Sequence, residues 1–188
     1  MSLSWWKPLF RLTLILVLLL TSLVAGVLPA QAGLHDDHFD GNIFALYAGN
    51  GSLVPPRISL AESLKRQKPA LLMFYTEDSR DCKEYSGVIS QLQAYYGRAA
   101  NFIPVSSDSL LPDVKYSPQD PGFYYKGRVP QTVLIDQAGQ VVLDEKGKIP
   151  FERVDDVFRQ VFDLLPRSES VELRRRIVNE INTELVQQ

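Results

Sequence analysis

Cys82 has the greatest capacity for covalent chemistry in this sequence, and it is the only cysteine among the 188 residues. A cysteine thiolate can attack a disulfide, but a full cycle of reduction needs a second thiol to release the mixed disulfide that forms. The position that would complete a C-x-x-C motif holds Ser79 instead. Because a serine hydroxyl is a far weaker acid than a thiol, it cannot take over that role unaided. The chain therefore cannot form an internal disulfide, and the sequence argues against dithiol chemistry.

The residues beside Cys82 also argue against a reactive thiol. Asp78 and Asp81 place negative charge near the sulfur, which opposes formation of the thiolate. Free cysteine is commonly buried and inert, so we predict that Cys82 packs as a small apolar side chain. The alternative is a single working thiol that forms mixed disulfides with a partner protein.

A second group of polar residues lies between positions 35 and 40 and contains both histidines of the chain. Imidazole and carboxylate groups at this density could bind a divalent cation. The residues are His35, Asp36, Asp37, His38 and Asp40. A polar stretch that follows a leader is more often a solvated linker, so we predict no metal site and place both histidines away from the loop that holds Ser79. The sequence has no glycine-rich phosphate loop, nucleophile elbow or zinc-type cysteine cluster, and we predict no cofactor.

Length and composition fit one globular domain with an accessory segment at each end. The chain is 45% hydrophobic, and its formal net charge is -2. Nucleic-acid binding needs a concentrated basic surface, which this charge balance does not support. We therefore predict no nucleic-acid partner.

Residues 1–32 have the three parts of an export signal. Lys7 and Arg11 come first, an uncharged run over residues 12–28 follows, and residues 30–32 form an A-x-A cleavage site. The apolar run is rather long for a signal peptide and rather short for a bilayer span. The segment is therefore predicted to be either a signal peptide or a membrane anchor, and both place the rest of the chain on the non-cytoplasmic side.

Residues 33–58 form an extension that is rich in turn signals. One short strand is predicted within it, at Ile43–Tyr47. Ser59 then begins a helix through a capping box with Glu62, and the helix is expected to end near Gln67.

The rest of the sequence predicts an α/β domain over residues 59–166. The apolar run Ala70–Tyr75 is typical of a central strand that is buried on both faces. The later predicted elements are a helix after Asp81, a strand at Phe102–Val105, a hairpin of Thr132–Asp136 and Val141–Leu143, and a helix whose apolar stripe is Val154, Val157, Phe158, Val161 and Leu165. The order β-α-β followed by β-β-α predicts a mixed sheet flanked by helices. Residues 167–188 are expected to form a further amphipathic helix that packs on the domain, and the alternative is a helix that binds a partner.

Two separated motifs resemble the thioredoxin family. Residues 71–83, LLMFYTEDSRDCK, resemble the strand, active-site loop and helix start of a thioredoxin, and residues 128–132, RVPQT, resemble the segment that brings a cis-proline beside that loop. The resemblance implies a thioredoxin-like fold and a cis peptide at Pro130. It also implies a peptide-binding groove formed by Ser79, Arg80, Asp81, Cys82, Val129 and Pro130.

The sequence departs from the thioredoxin pattern at two positions that matter for catalysis. Ser79 stands where the family has its nucleophilic cysteine, and Met73 stands where it commonly has a buried acid that helps to move a proton. A methionine side chain cannot perform that transfer. We therefore predict a redox-inactive binding or assembly factor. The alternative is a single-cysteine thiol oxidoreductase that uses Cys82.

The chain is also similar to a narrower group, the cyanobacterial thioredoxin-like thylakoid membrane proteins described as photosystem I accumulation factors. The similar stretches are residues 41–56, Asp81-Cys82-Lys83, and residues 95–100. The resemblance implies a membrane-associated helper that binds a protein partner, such as photosystem I subunits or assembly factors. It implies a location at the thylakoid membrane on the lumenal side, or at the periplasmic side of the inner membrane.

Overall fold

The computed structural model describes residues 6–25 and 33–170 of the chain. The chain divides into two compact units, Met1–Ala32 and Gly33–Gln188. In the first unit, helix α1 spans Trp6–Ala25, and the side chains of residues 8–22 are exposed. None of the helices in the described residues combines the length and the apolar character needed to cross a membrane.

The second unit is built on a sheet of four strands. These are β1 at Ala70–Tyr75, β2 at Asn101–Ser106, β3 at Gln131–Ile135 and β4 at Val141–Lys146. Their order across the sheet is β2-β1-β3-β4, with β1 parallel to β2 and antiparallel to β3, and β3 antiparallel to β4. The strands predicted at Ala70–Tyr75 and Phe102–Val105 are confirmed, and so are the predicted hairpin and the mixed sheet.

Helices cover both faces of this sheet. They are α2 at Ile43–Leu46, α3 at Leu60–Lys65, α4 at Arg80–Tyr96 and α5 at Phe151–Val161. Side chains alternate between the two faces of a strand, and those of β1 enter two separate apolar clusters. Leu71, Met73 and Tyr75 pack with α4 and α5, whereas Leu72 and Phe74 pack with Leu60 of α3. All six residues of β1 are buried, which confirms the predicted central strand. The fold is the thioredoxin-like fold that the sequence predicts.

The predicted strand at Ile43–Tyr47 is wrong, because this segment forms the short helix α2. The side chain of Asn42 accepts a hydrogen bond from the Ala45 N–H at 3.0 Å and caps the turn. Ile43 and Phe44 have no exposed surface, since the turn directs both side chains into the core. A cap and two buried contacts have outweighed the strand preference of the β-branched and aromatic residues.

The helix predicted at Ser59 is present but shorter than expected. Ser59 accepts a hydrogen bond from the Glu62 N–H at 3.2 Å, as the predicted cap requires. The reciprocal half of the capping box is absent, because the Glu62 carboxylate accepts from Nε of Arg66 at 2.7 Å. The helix ends at Lys65, and Gln67 turns the chain with a positive φ of 49°.

The end of the last predicted helix also differs from expectation. Helix α5 ends at Val161, so Leu165 lies beyond it and is exposed. Residues Arg167–Glu169 form a single 3-10 turn. The rest of the predicted C-terminal helix, with its apolar stripe, lies outside the described residues.

Candidate functional site

Ser79 caps helix α4 and is positioned for that purpose by an extended backbone conformation. Its side-chain oxygen accepts a hydrogen bond from the backbone N–H of Cys82 at 3.3 Å. The first N–H groups of a helix have no partner within the helix, and a serine at this position supplies one. The residue that replaces the expected nucleophile therefore has a structural role.

Cys82 lies in the first turn of α4 with no exposed surface, which confirms the predicted burial. Burial raises the pKa of its thiol above the ordinary value, because the thiolate is poorly solvated there. Hydrogen bonds from Ser79 and Thr76 act in the opposite direction but are outweighed, and Asp81 adds to the increase. The thiol is therefore neutral and shielded in the folded chain.

Labelling with a maleimide should test this burial. We expect Cys82 to react at least about 100-fold more slowly in the folded chain than in denaturant, because reaction requires a thiolate that solvent can reach. The rate is measured by mass spectrometry at one pH, with the unfolded chain as the reference. Similar rates in the two states would contradict the prediction and favour an accessible thiol.

The peptide bond between Val129 and Pro130 is cis, as predicted. Gln131 pairs with Phe74 in the sheet, so Pro130 lies beside the end of β1, where the chain enters the loop before α4. The Pro130 carbonyl accepts a hydrogen bond from the N–H of Gly147 at 2.7 Å. Within residues 33–170, the backbone N–H and C=O of Val129 have no hydrogen-bond partner. These groups remain free to pair with another chain.

Lys148 connects the two halves of the predicted groove. It follows Gly147, which contacts Pro130, and its Nζ lies 3.2 Å from a carboxylate oxygen of Asp81. The same ammonium group pairs with Glu84. The structure thus brings the Ser79–Cys82 segment and Pro130 to one end of the domain.

The side chains of Tyr85 in α4 and Thr132 in β3 form a polar pair that is uncharged. The hydroxyl of Tyr85 lies 2.9 Å from Oγ1 of Thr132, and both residues are buried. Burial raises the pKa of Tyr85 to about 12, so the hydroxyl keeps its proton at physiological pH. Thr132 is opposite Met73 in the sheet, and Met73 has no exposed surface. The residue expected to be acidic in a thioredoxin is here part of the apolar core.

Residues 33–40, which we call the strap, contact α4, and sequence reasoning missed these contacts. Lys83 has a side chain with no exposed surface, and its Nζ donates to the carbonyl of Gly33 at 2.9 Å and to Asp36 at 3.0 Å. It also pairs with Asp40 at 2.5 Å and lies 5.4 Å from the ring centroid of Tyr47. The buried ammonium group is thus surrounded by polar groups of the extension.

The charges of this cluster stabilise one another. Burial alone would lower the pKa of Lys83, but hydrogen bonds with Asp40 and Asp36 outweigh that effect and raise it. A hydrogen bond from Lys83, followed by one from Tyr47, lowers the pKa of Asp40. Lys83 is therefore charged at physiological pH, and so is Asp40.

The strap also reaches the first turn of α4 directly. Asp37 accepts a hydrogen bond from the backbone N–H of Arg80 at 2.8 Å. His35 lies 3.0 Å from Glu84, whose carboxylate also pairs with Lys148. Hydrogen bonds from Lys148 and then from His35 lower the pKa of Glu84 to about 2.

Residues 35–39 are exposed, as expected of a polar stretch, but the strap is not an unattached linker, because it contacts α4. His35 lies beside Glu84, on the helix that carries Cys82. Asp36 and Asp40, which were considered as metal ligands, are ion-paired with Lys83. The available sequence signal was a lysine next to a predicted buried position, together with three aspartates within five residues.

Comparison with known proteins identifies a relative and a set of distant structures. No family model matches the chain. A thylakoid membrane protein of Synechocystis sp., slr1796, is 54% identical over 157 residues, which cover 84% of this chain and 78% of that protein.

Two solved structures similar to this chain are thioredoxins. The germline-specific thioredoxin Deadhead of Drosophila melanogaster is 17% identical with a TM-score of 0.42, covering 53% of this chain and 86% of that one. A mutant thioredoxin from Halobacterium salinarum is 18% identical with a TM-score of 0.42, covering 55% and 84%. The relationship itself is shown by the sequence match, and the chain belongs to the family of the Synechocystis thylakoid membrane protein slr1796.

Proposed function

We propose that this chain is a redox-inactive, thioredoxin-like binding factor that supports the accumulation of photosystem I at the thylakoid membrane. The observation that carries the redox part is Ser79, whose hydroxyl caps α4 where a thioredoxin needs its nucleophilic thiol. Cys82, which keeps the second position of the C-x-x-C motif, is fully buried. Such a scaffold can present a binding surface, but it has no pair of thiols for electron transfer.

The proposed binding surface is the groove formed by residues 79–82 and Val129–Pro130. Arg80 is exposed, and the side chain of Asp81 is half exposed. The unpaired backbone groups of Val129 can hydrogen-bond to an extended peptide, which would add to the domain as a short strand. Charged side chains at the rim would then favour one partner over others.

The proposed location and client have a different basis. The name of the 54% identical relative supports the thylakoid membrane. The export signal predicted for residues 1–32 supports the lumenal side, or the periplasmic side for a chain in the inner membrane. Photosystem I subunits or assembly factors are the proposed partners, because residues 41–56 and 95–100 resemble the accumulation factors.

Complementation of Synechocystis cells that lack slr1796 tests this function. We expect these cells to accumulate less photosystem I, and we expect the chain and its Cys82→Ala variant to restore it to the same level, because binding does not need the thiol. A second measurement is the amount of photosystem I subunits that co-purifies with the chain. Replacing both exposed arginines at the groove, Arg80→Ala and Arg128→Ala, should lower this amount roughly tenfold. Arg57→Ala with Arg98→Ala is the matched control, because both arginines are exposed and lie near the opposite end of α4.

The thiol oxidoreductase alternative predicts the opposite pattern. In that case Cys82→Ala would fail to restore photosystem I although the variant accumulates normally. Insulin reduction by the purified chain that disappears in Cys82→Ser would also overturn the proposal. Equal recovery of photosystem I subunits by the groove variant and the control would place the binding surface elsewhere.

A further inference from the structure

The strap occupies the side of α4 on which the proposed groove begins. The Asp37 carboxylate accepts a hydrogen bond from the backbone N–H of Arg80, the second residue of the Ser79–Cys82 segment. The Gly33 carbonyl accepts one from Nζ of Lys83, the residue that follows this segment. The first N–H groups of a helix are otherwise free to bind an acceptor from another molecule. While Asp37 is in place, the Arg80 N–H is not available to a partner.

We infer that the strap is an autoinhibitory element, and that a partner gains full access to the groove only when residues 33–40 leave the start of α4. This inference rests on the proposed function, since the partner is the protein that binds at residues 79–82 and Val129–Pro130. It adds a closed state and an open state to that binding surface. The structure described above is the closed state.

The contacts of the strap are suited to opening because they are mainly polar. His35 is 79% exposed, Asp36 is 46% exposed, and Phe39 is 69% exposed. The strap therefore buries little apolar surface, which is the main source of stability in a folded segment. The ion pair of Lys83 with Asp36 is partly exposed and is weakened by salt and by competing charges. The pair of Lys83 with Asp40 is buried, so it is the contact that must be broken for the strap to open.

The segment that follows the strap is fixed much more firmly. Ile43 and Phe44 of α2 have no exposed surface and belong to the main apolar cluster. Gly41 lies between the two segments with a φ of 115°, a conformation that glycine adopts without strain. The strap can thus detach up to Gly41 while α2 and the core remain in place, as expected for a locally opening unit.

A strap-opening variant provides the test. The full-length chain carries Asp36→Asn, Asp37→Ala and Asp40→Asn, which remove the acceptor for Arg80 and both counter-ions of Lys83. The control carries Asp108→Asn, Asp113→Asn and Asp163→Asn, which make the same change in charge at exposed side chains. None of these three carboxylates has an ion pair within residues 33–170.

Hydrogen exchange is measured on each protein, and so is the amount of photosystem I subunits that co-purifies with it, which we call recovery. In the strap variant, exchange at the Gly33 and Arg80 amides, which donate to Asp40 and Asp37, should rise about tenfold or more, while residues 131–135 of β3 stay protected. Recovery of photosystem I subunits from solubilised Synechocystis thylakoid membranes should rise about threefold or more, because a larger fraction of the chain can bind. The control should match the original chain in both measurements.

The outcomes separate this inference from the function on which it rests. Faster exchange with unchanged recovery would overturn autoinhibition and leave the binding function intact. Unchanged exchange at the Gly33 and Arg80 amides would show that the aspartates do not hold the strap, and would overturn the inference directly. Failure of every form to recover photosystem I subunits would overturn the proposed function, and the inference with it.

Discussion

Replacing Lys83 with alanine is expected to lower the midpoint of thermal unfolding by roughly 5 °C or more. The side chain has no exposed surface, and the Asp40 carboxylate with which it pairs is only 10% exposed. Removing the ammonium group leaves that carboxylate without its cationic partner, with only the Tyr47 hydroxyl and the Gly33 N–H as donors, and removes the donor to the Gly33 carbonyl. Breaking such a pair from one side is costly because the remaining carboxylate either stays buried without its counter-ion or becomes hydrated only when the strap gives up its contacts with α4. Circular dichroism or calorimetry measures the change.

Lys148→Ala is the matched control for this prediction. Lys148 also pairs with two carboxylates of the same region, Asp81 and Glu84, but its side chain is 45% exposed. Water solvates these groups once the pair is lost, so we expect a change of no more than about 2 °C. Similar changes in the two variants would show that burial does not determine the contribution of Lys83.

Lys83→Met separates the charge from the packing of the aliphatic stem. Methionine keeps an apolar side chain of similar length but donates no hydrogen bond. We expect this variant to remain clearly less stable than the original chain, because Asp40 still loses the ammonium group with which it forms an ion pair. Recovery of the original midpoint would assign the effect of Lys83→Ala to lost packing alone.

The parts of the fold that sequence reasoning predicted correctly are those with a local signal. The run Ala70–Tyr75 is apolar throughout, and only a strand covered on both faces buries every residue of such a run. The hairpin around Gly139 has a turn signal at residues 137–139 between two apolar segments. The cis peptide at Pro130 came from a motif whose position relative to Ser79 matches that of a known family.

The strap could not be predicted in this way. Lys83 meets Asp40 and Asp36 across 43 and 47 positions of sequence, so the pairing depends on where the extension returns to the domain. Several other acidic residues were equally plausible partners from sequence alone. Ile43 and Phe44 posed a related problem, since their strand preference gave no indication of the cap provided by Asn42.

Ser79 has one property that the sequence predicts and another that only the structure shows. The sequence alone shows that a thiol is missing at position 79, because the spacing to Cys82 identifies this residue as the first position of the C-x-x-C motif. From the structure, its importance is the hydrogen bond that it accepts at the start of α4. The two observations together suggest how a binding scaffold can keep the shape of this loop after the nucleophile is gone.

Restoring the missing sulfur should therefore restore a disulfide but little catalysis. In Ser79→Cys, we expect oxidation to link residue 79 to Cys82, detected as the loss of both free thiols. Insulin reduction should remain roughly 100-fold or more below that of a thioredoxin with both cysteines and the buried acid, since acid–base catalysis contributes a factor of that size. Met73 cannot exchange a proton, and burial raises the pKa of Cys82.

The control for this variant is Ser79→Ala, which also removes the cap but introduces no sulfur. The two variants should lose similar stability, about 1 kcal/mol, because each lacks the hydroxyl that accepts from the N–H of Cys82. A difference between them in insulin turnover then reports the thiol alone. Turnover by Ser79→Cys at the rate of an ordinary thioredoxin would mean that the apolar surroundings at Met73 do not limit proton transfer, and that one substitution separates this binding scaffold from an enzyme.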